Sequence, residues 1–262
     1  DFGYSVAIHN GYVVVGDPYK DGGSRNQGEV HVYRLERGEF RLLQKIQNPD
    51  GSPEDDAFGF SVAIHDGFIV VGTPYDNSDS GSVYVYRLER GEFRHLQRIQ
   101  NPDGSLDEDE FGHSVAIHDG FIVVGAYGDN DYTGSVYVYR LERGEFRLLQ
   151  HIPNPDGNPG GDYFGHSVAI RDGYIVVGAY NDNVPTNKEG SVYIYRLDRG
   201  EFRNSQKLES PDKETNGQFG WSVAIHNGRV VVGQPYNQSK GGSSQQGSAY
   251  IFSYGYYLVE KE

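Results

Sequence analysis

Phe111-Gly112-His113-Ser114-Val115-Ala116-Ile117 opens a phrase that continues through the turn His118-Asp119-Gly120 and the apolar run Phe121-Ile122-Val123-Val124-Gly125. After a loop it closes with Gly134-Ser135-Val136-Tyr137-Val138-Tyr139. Alternating apolar and polar residues, β-branched and aromatic enrichment, and Gly-bearing turns read as short antiparallel strands. No stretch shows helical periodicity.

Outward from this phrase, the same order of residues recurs. Phe-Gly pairs stand at Phe2-Gly3, Phe58-Gly59, Phe111-Gly112, Phe164-Gly165 and Phe219-Gly220, at spacings of 56, 53, 53 and 55 residues. The repeats run 2–57, 58–110, 111–163, 164–218 and 219–262, with no linker between them. In the second, strand a is Phe60 to Ile64, b is Phe68 to Val71, c is Ser82 to Leu88 and d is Phe93 to Ile99. A fully apolar strand b is expected to be buried on both faces. The last d strand, Tyr256 to Val259, departs from the pattern. Five four-stranded units predict an all-β fold, a five-bladed β-propeller in one domain, 1–262. A closed ring is favoured because the repeat count is whole. An open array or a fragment of a larger propeller are the alternatives. Arg and Lys on strand d (Arg41, Lys45, Arg94, Arg98, Arg147, Arg203, Lys207) read as protection of an outer edge.

The phrases Phe-Gly-x-Ser-Val-Ala, Val-Val-Gly followed by Asp17-Pro18, Thr73-Pro74, Ala126-Tyr127, Ala179-Tyr180 or Gln234-Pro235, and Gly-Ser-Val-Tyr-Val-Tyr resemble the FG-GAP repeat. That repeat builds the propeller of integrin α-subunits and of many secreted or surface proteins of microbes. The resemblance implies adhesion or recognition at a cell surface or outside the cell. It departs in one respect. The family's Asp-rich calcium loop between strands a and b is replaced here by turns such as His65-Asp66-Gly67. Ca²⁺ needs six to eight oxygens, which so short a turn cannot supply. The five copies also differ from the seven blades of integrins.

Of 262 residues none is Cys or Met and one is Trp, and the net charge is −14. Disulfides, thiol catalysis and Cys-ligated metal are thereby excluded. So acidic a chain is not expected to bind nucleic acid, and no apolar run approaches a membrane span. The chain begins at Asp1 in patterned sequence, which points to a processed or excised segment without a visible signal peptide. The loops between strands d and a contribute −12 and those between b and c −4, a total of −16 against −14 for the chain. Propeller connectivity puts both loop sets on one face, which is therefore acidic and holds the variable segments. Such a face suits cations or a basic partner. Solvation of ordinary turns is the competing reading.

Candidate ligand-binding residues are those between Phe-Gly and Ser: Tyr4, Phe60, His113, His166 and Trp221. They are expected to ring the channel mouth, where aromatic faces can stack a sugar or hold a small ligand. Packing between blades is the alternative. Candidate Ca²⁺ ligands are Asp76 and Asp79, Asp129, Asn130 and Asp131, and Asp107 and Asp109, which offer clustered hard oxygens without EF-hand spacing. The His residues of the a–b turns and the Arg-Gly-Glu triplets read as turn chemistry, and Asn237-Gln238-Ser239 is a single glycosylation sequon. Enzyme motifs such as Gly-x-Ser-x-Gly, a P-loop or His-Glu-x-x-His are missing. The function read from this is non-catalytic extracellular binding or adhesion through the acidic face, with Ca²⁺ as a candidate cofactor and a protein or glycan as partner. A lectin-like propeller, a subunit of a surface filament or matrix, and a designed repeat scaffold are the alternatives.

Overall fold

Two consecutive left-handed residues turn each inner hairpin. Asn10 and Gly11, Asp66 and Gly67, Asp119 and Gly120, Asp172 and Gly173, and Asn227 and Gly228 all have positive φ. That is the two-residue turn whose twist matches the strands it joins. Arg37-Gly38, Arg90-Gly91, Arg143-Gly144 and Arg199-Gly200 do the same for the outer hairpins, so the Arg-Gly-Glu triplets are turns. The computed structural model describes residues 1–21, 26–49, 55–104, 108–156, 161–182, 189–212, 216–238 and 245–254.

Nineteen strands are described. The first blade holds β1 (Ser5–His9), β2 (Tyr12–Asp17), β3 (Glu29–Glu36) and β4 (Glu39–Gln47). The second holds β5 (Ser61–His65), β6 (Phe68–Thr73), β7 (Ser82–Glu89) and β8 (Glu92–Gln100). The third holds β9 (Ser114–His118), β10 (Phe121–Ala126), β11 (Ser135–Glu142) and β12 (Glu145–Pro153). The fourth holds β13 (Phe164–Arg171), β14 (Tyr174–Ala179), β15 (Ser191–Asp198) and β16 (Glu201–Glu209). The fifth holds β17 (Ser222–His226), β18 (Arg229–Gln238) and β19 (Gln245–Ser253). Each sheet is antiparallel, with its strands in chain order. The expected strand at 256–259 lies outside the described residues. One helical turn, Asp129–Tyr132, interrupts the β structure, and three of its residues, Asn130, Asp131 and Tyr132, have positive φ. The fold is a five-bladed β-propeller.

Successive first strands (β1, β5, β9, β13, β17) pack against one another, while the outermost strands barely meet. The blades are therefore wedges around an axis. Each joint pairs two unlike surfaces. Val14, Val30, Val32 and Ile46 of the first blade meet Phe58, Val62, Ile64, Tyr84, Tyr86 and Phe93 of the second. The next three joints repeat this with equivalent residues. Strand b lies between two such joints, which is why Ile69, Val70 and Val71 are all fully buried.

Close backbone approach explains one repeated glycine. A Cβ on Gly72 would lie 2.0 Å from the carbonyl oxygen of Gly112, and Gly16, Gly125 and Gly178 meet the same obstacle in the next blade. That carbonyl accepts from Ser: Ser5 to Gly59, Ser61 to Gly112, Ser114 to Gly165 and Ser167 to Gly220, at 2.7–2.9 Å. Farther out, a glutamine clips the next outer strand at both backbone groups. Gln44, Gln97 and Gln150 each donate to the carbonyl of Phe93, Phe146 or Phe202 and accept from the same residue's N–H. These clips had no signature in a strand read only by its hydrophobic alternation.

Candidate functional site

The b–c and d–a loops do lie together. Glu110 and Phe111, which end a d–a loop, donate their N–H groups to the carbonyls of Asp79 and Ser80 in a b–c loop, at 2.9 and 3.1 Å. Tyr163 and Phe164 pair likewise with Tyr132 and Thr133, and Phe219 with Glu189. The acidic loops thus share one face, opposite the tight turns.

Across this face the five residues that follow Phe-Gly form a chain of ring contacts. Tyr4 meets Phe60 at 4.8 Å between centroids, Phe60 meets His113 at 4.9 Å, His113 meets His166 at 4.8 Å and His166 meets Trp221 at 4.6 Å. The chain has two ends, since Tyr4 and Trp221 are exposed. A second row of rings lies beside it: Tyr19 on Tyr4, Tyr75 on Phe60, Tyr127 on His113 and Tyr180 on both His166 and Trp221. Tyr132 and Tyr163 extend that row. The second row was not singled out in the sequence, although Tyr19 and Tyr75 directly follow Gly-x-Pro and Tyr127 and Tyr180 end Gly-Ala-Tyr.

The two histidines are held neutral. Burial is the main cause for both, lowering His113 to about 3 and His166 to about 4, the former helped by its histidine neighbour. His113 Nδ1 lies 3.3 Å from the carbonyl of His166, and His166 Nδ1 lies 3.2 Å from that of Trp221. A carbonyl only accepts, so Nδ1 carries the proton in each ring. Both rings therefore join neighbouring blades as well as lining the face.

Glu110, which the sequence reading passed over as one of four consecutive acids, stands out in the structure. Its Oε1 accepts from the Tyr127 hydroxyl at 2.7 Å, and its Oε2 is buried with no partner among the described residues. Burial raises the carboxyl to about 7; the Tyr127 hydrogen bond opposes this, and Asp79 and Glu108 reinforce it. The equivalent positions hold Ala57, Tyr163 and Gln218, and all four are left-handed. The fold therefore has a repeated slot that opens onto this face, filled with an acid once.

Below the loops, each inner blade carries a carboxylate pocket. In the second, Asp76 accepts from Arg98 Nη2 at 2.7 Å and from the Tyr84 hydroxyl at 3.2 Å. In the fourth, Asp182 pairs with Lys207 Nζ at 3.0 Å and accepts from Tyr193, and Lys207 also bonds Asp156. In the third, Asp129 accepts from Tyr137, and His151 Nε2 stands 3.9 Å from it. There Asp103, Asp109 and Asp129 bring carboxylate oxygens within 4.8 Å of one another. Asp109 also accepts from Asn101 at 2.6 Å.

The candidate Ca²⁺ ligands are accordingly split. Asp109 and Asp129 come together, joined by Asp103, which had not been singled out. Asp76 already faces Arg98, and Asp79 sits in the left-handed turn that receives Glu110. Asn130 and Asp131 are exposed and stand outside the cluster. Asp107 lies outside the described residues. The strand-d cations also divide. Arg41, Arg94 and Arg147 are exposed beside Glu39, Glu92 and Glu145 at the outer edge, whereas Arg98 and Lys207 fill pockets rather than guard an edge.

The opposite face holds a ladder of His9, His65 and His118, with ring centroids 4.3 and 4.4 Å apart. Asp66 and Asp119 lie beside it, so two imidazoles and a carboxylate meet twice. Burial lowers His65, which keeps it neutral. The described strands and loops include no helix long and apolar enough to cross a membrane.

Bovine integrin alpha-2 is 29% identical over a match covering 44% of this chain and 12% of that protein. Mouse integrin alpha-2 is also 29% identical, over 36% of this chain and 9% of its own length. The match thus spans about a tenth of these relatives. The model of the FG-GAP repeat matches residues 1–33, 40–86, 94–139, 147–195 and 202–252. Four of these segments run from the outer strand of one blade, across the loop face, to the third strand of the next. The matches cover most of the chain, and the chain belongs to the FG-GAP repeat family.

Proposed function

We propose that this propeller is a non-catalytic, extracellular, adhesion-type binding module, and that its acidic loop face takes a protein ligand through a basic side chain. The observation that carries the proposal is Glu110. A carboxyl with one oxygen buried and without a partner among the described residues, set among Tyr75, Tyr127 and Tyr132, gains when a cation reaches it. Aromatic walls and a carboxylate together suit a guanidinium or ammonium group. Similarity to integrin alpha-2 supports an adhesive role. Ca²⁺ at Asp103, Asp109 and Asp129 is the proposed auxiliary ion.

A glycan ligand is the second reading, favoured by the exposed rings of Tyr4 and Trp221. One experiment separates the two. The 262-residue chain and its Glu110→Gln variant are passed over immobilised peptides graded by charge and over a glycan array. Retention on Arg- or Lys-bearing peptides that is lost in the variant supports the proposal. Binding to glycans alone, or peptide binding that ignores Glu110, overturns it.

A further inference from the structure

The face of tight turns carries a cluster that turn formation does not explain. His9, His65 and His118 are the last residues of β1, β5 and β9, the inner strands of the first three blades. These strands pack side by side, which stacks the three imidazoles. The fourth blade makes the same left-handed Asp-Gly turn with Arg171 in the preceding position, so the turn does not require histidine. The first and fifth blades make it with Asn10 and Asn227, so it does not require a carboxylate either. Yet each of the three histidines faces an aspartate in the turn of the following blade. His9 Nε2 lies 3.2 Å from Asp66 Oδ1, and His118 Nε2 lies 3.9 Å from Asp172 Oδ1. His65 shares one group of ligand atoms with Asp119. After Arg171, the following turn carries Asn227 instead. Asp66 and Asp119 also reach the imidazole of their own blade. His65 Nδ1 lies 3.6 Å from Asp66 Oδ2, and His118 Nδ1 lies 3.3 Å from Asp119 Oδ2. Each of these two carboxylates is thus set between two imidazoles.

We infer that these residues form a binding site for one divalent transition-metal ion of the Zn²⁺ or Cu²⁺ class, held by His65 together with either His9 and Asp66 or His118 and Asp119. In each group the three ligand atoms lie within 4.8 Å of one another. Small rotations of the exposed aspartates close either triangle around an ion about 2.0–2.2 Å from each donor. Two imidazoles and a carboxylate suit Zn²⁺ or Cu²⁺. They supply too few oxygens for Ca²⁺. His118 is buried and His9 and His65 are partly so, which limits their motion, while Asp66 and Asp119 stand at the surface. The ion therefore enters from solvent, and water completes its coordination. A neutral imidazole carries a proton on one nitrogen and offers the other. His65 accordingly serves one group at a time, and the chain takes one ion rather than two. Bound there, the ion ties the second blade to the first or the third. The site lies on the face opposite Glu110 and is independent of the binding role proposed for that residue.

The test is calorimetric titration of the 262-residue chain with ZnCl₂, in excess Ca²⁺ so that the acidic loops do not compete. One ion per chain is expected, with a rise in the thermal midpoint because the ion binds only the folded state. His65→Gln removes the ligand common to both groups and should weaken binding by more than about tenfold. His9→Gln and His118→Gln each leave one group whole and should weaken it by about twofold, the loss of one of two equal alternatives. His226→Gln, at the equivalent place in the fifth blade, should change nothing. Loaded with Cu²⁺, the chain should show two imidazole nitrogens by electron paramagnetic resonance. Should His65→Gln disturb the fold, Asp66→Asn combined with Asp119→Asn decides, since Asn10 and Asn227 already form this turn. That pair should also cost more than about tenfold. Absence of binding, a stoichiometry of two, or binding that ignores both His65 and the two aspartates overturns the inference.

Discussion

The joints and the loop face are built from the same repeat, yet they have opposite relations to it. At the joints the copies are nearly interchangeable: Phe93, Phe146 and Phe202 occupy one site, as do Gln44, Gln97 and Gln150. On the loop face one slot holds Ala57, Glu110, Tyr163 and Gln218, and another holds Tyr4, Phe60, His113, His166 and Trp221. Repetition fixes the packing because each wedge must fit the next. It leaves the loop slots free because they lie outside the wedge-to-wedge joint and are covered by loop residues that vary with them. Chemistry specific to this chain therefore has to be sought where the copies differ.

The largest effect should come from breaking a joint. Phe93→Ala removes a fully buried ring between two blades and should cost about 3–5 kcal/mol of stability. Phe40→Ala, the same change at the exposed equivalent, should cost under about 1 kcal/mol. Denaturant titration of both variants gives the contrast directly, and equal losses would mean that the first blade is covered in solution.

Next come the carboxylate pockets, where joint and loop face meet. Arg98→Met leaves Asp76 buried without its cation and should cost about 3 kcal/mol. His151→Met should cost under about 1 kcal/mol, because that imidazole is half exposed and 3.9 Å from Asp129. A similar loss in both would show that the third pocket depends on its histidine as the second depends on its arginine.

Acid and base should then act on the two rows of the loop face with opposite sign. His113 and His166 are pushed from 6.5 down to about 3 and about 4. Between those values the unfolded chain binds protons that the folded chain refuses. Their contribution is complete above pH 6.5 and is lost as pH falls. Glu110 is raised from 4.5 to about 7, so the folded chain holds the proton longer. Its contribution is complete below pH 4.5 and is lost as pH rises toward 7. His113→Phe, which copies Phe60, should flatten the acid limb of stability against pH, and Glu110→Gln should flatten the fall from about 4.5 to 7. Denaturation midpoints across this range would show whether either limb is misassigned.

Much of this was legible before any coordinates. The Phe-Gly spacing gave the blade count, the alternation in Ser-Val-Tyr-Val-Tyr gave the joint, and the charge tally gave the acidic face. Three things were not legible. The Gln97 clip uses backbone groups, which carry no sequence signal. Glu110 was hidden because its burial comes from the neighbouring blade's Tyr127. The partnering of Asp76 by Arg98, and the placing of His151 beside Asp129, depend on strand d folding back over a loop 22 residues away in the chain.

The smallest effect tests the pockets as ion sites. Arg98 already stands beside Asp76 in the second blade, and Lys207 beside Asp156 and Asp182 in the fourth. In the third, Asp103, Asp109 and Asp129 bring carboxylate oxygens together, and His151 stands beside Asp129. A site of three carboxylates on loops belongs to the weak range, with a dissociation constant on the order of 10⁻⁴–10⁻³ M. An ion that binds only the folded state stabilises it in proportion to the logarithm of occupancy. At millimolar Ca²⁺ the gain over EDTA is then about 1 kcal/mol, a shift of a few degrees at most in a chain of this size. His151→Arg puts a permanent cation beside Asp129 and should abolish the shift while leaving the fold intact. Arg98→His removes the cation beside Asp76, where no three-carboxylate group is described, and should create no second shift. Calorimetric titration accompanies both, since heat without a shift would place the ion elsewhere. If Ca²⁺ changes neither the midpoint nor the heat in the unaltered chain, the third pocket is a solvated cluster, and the loop face binds without metal.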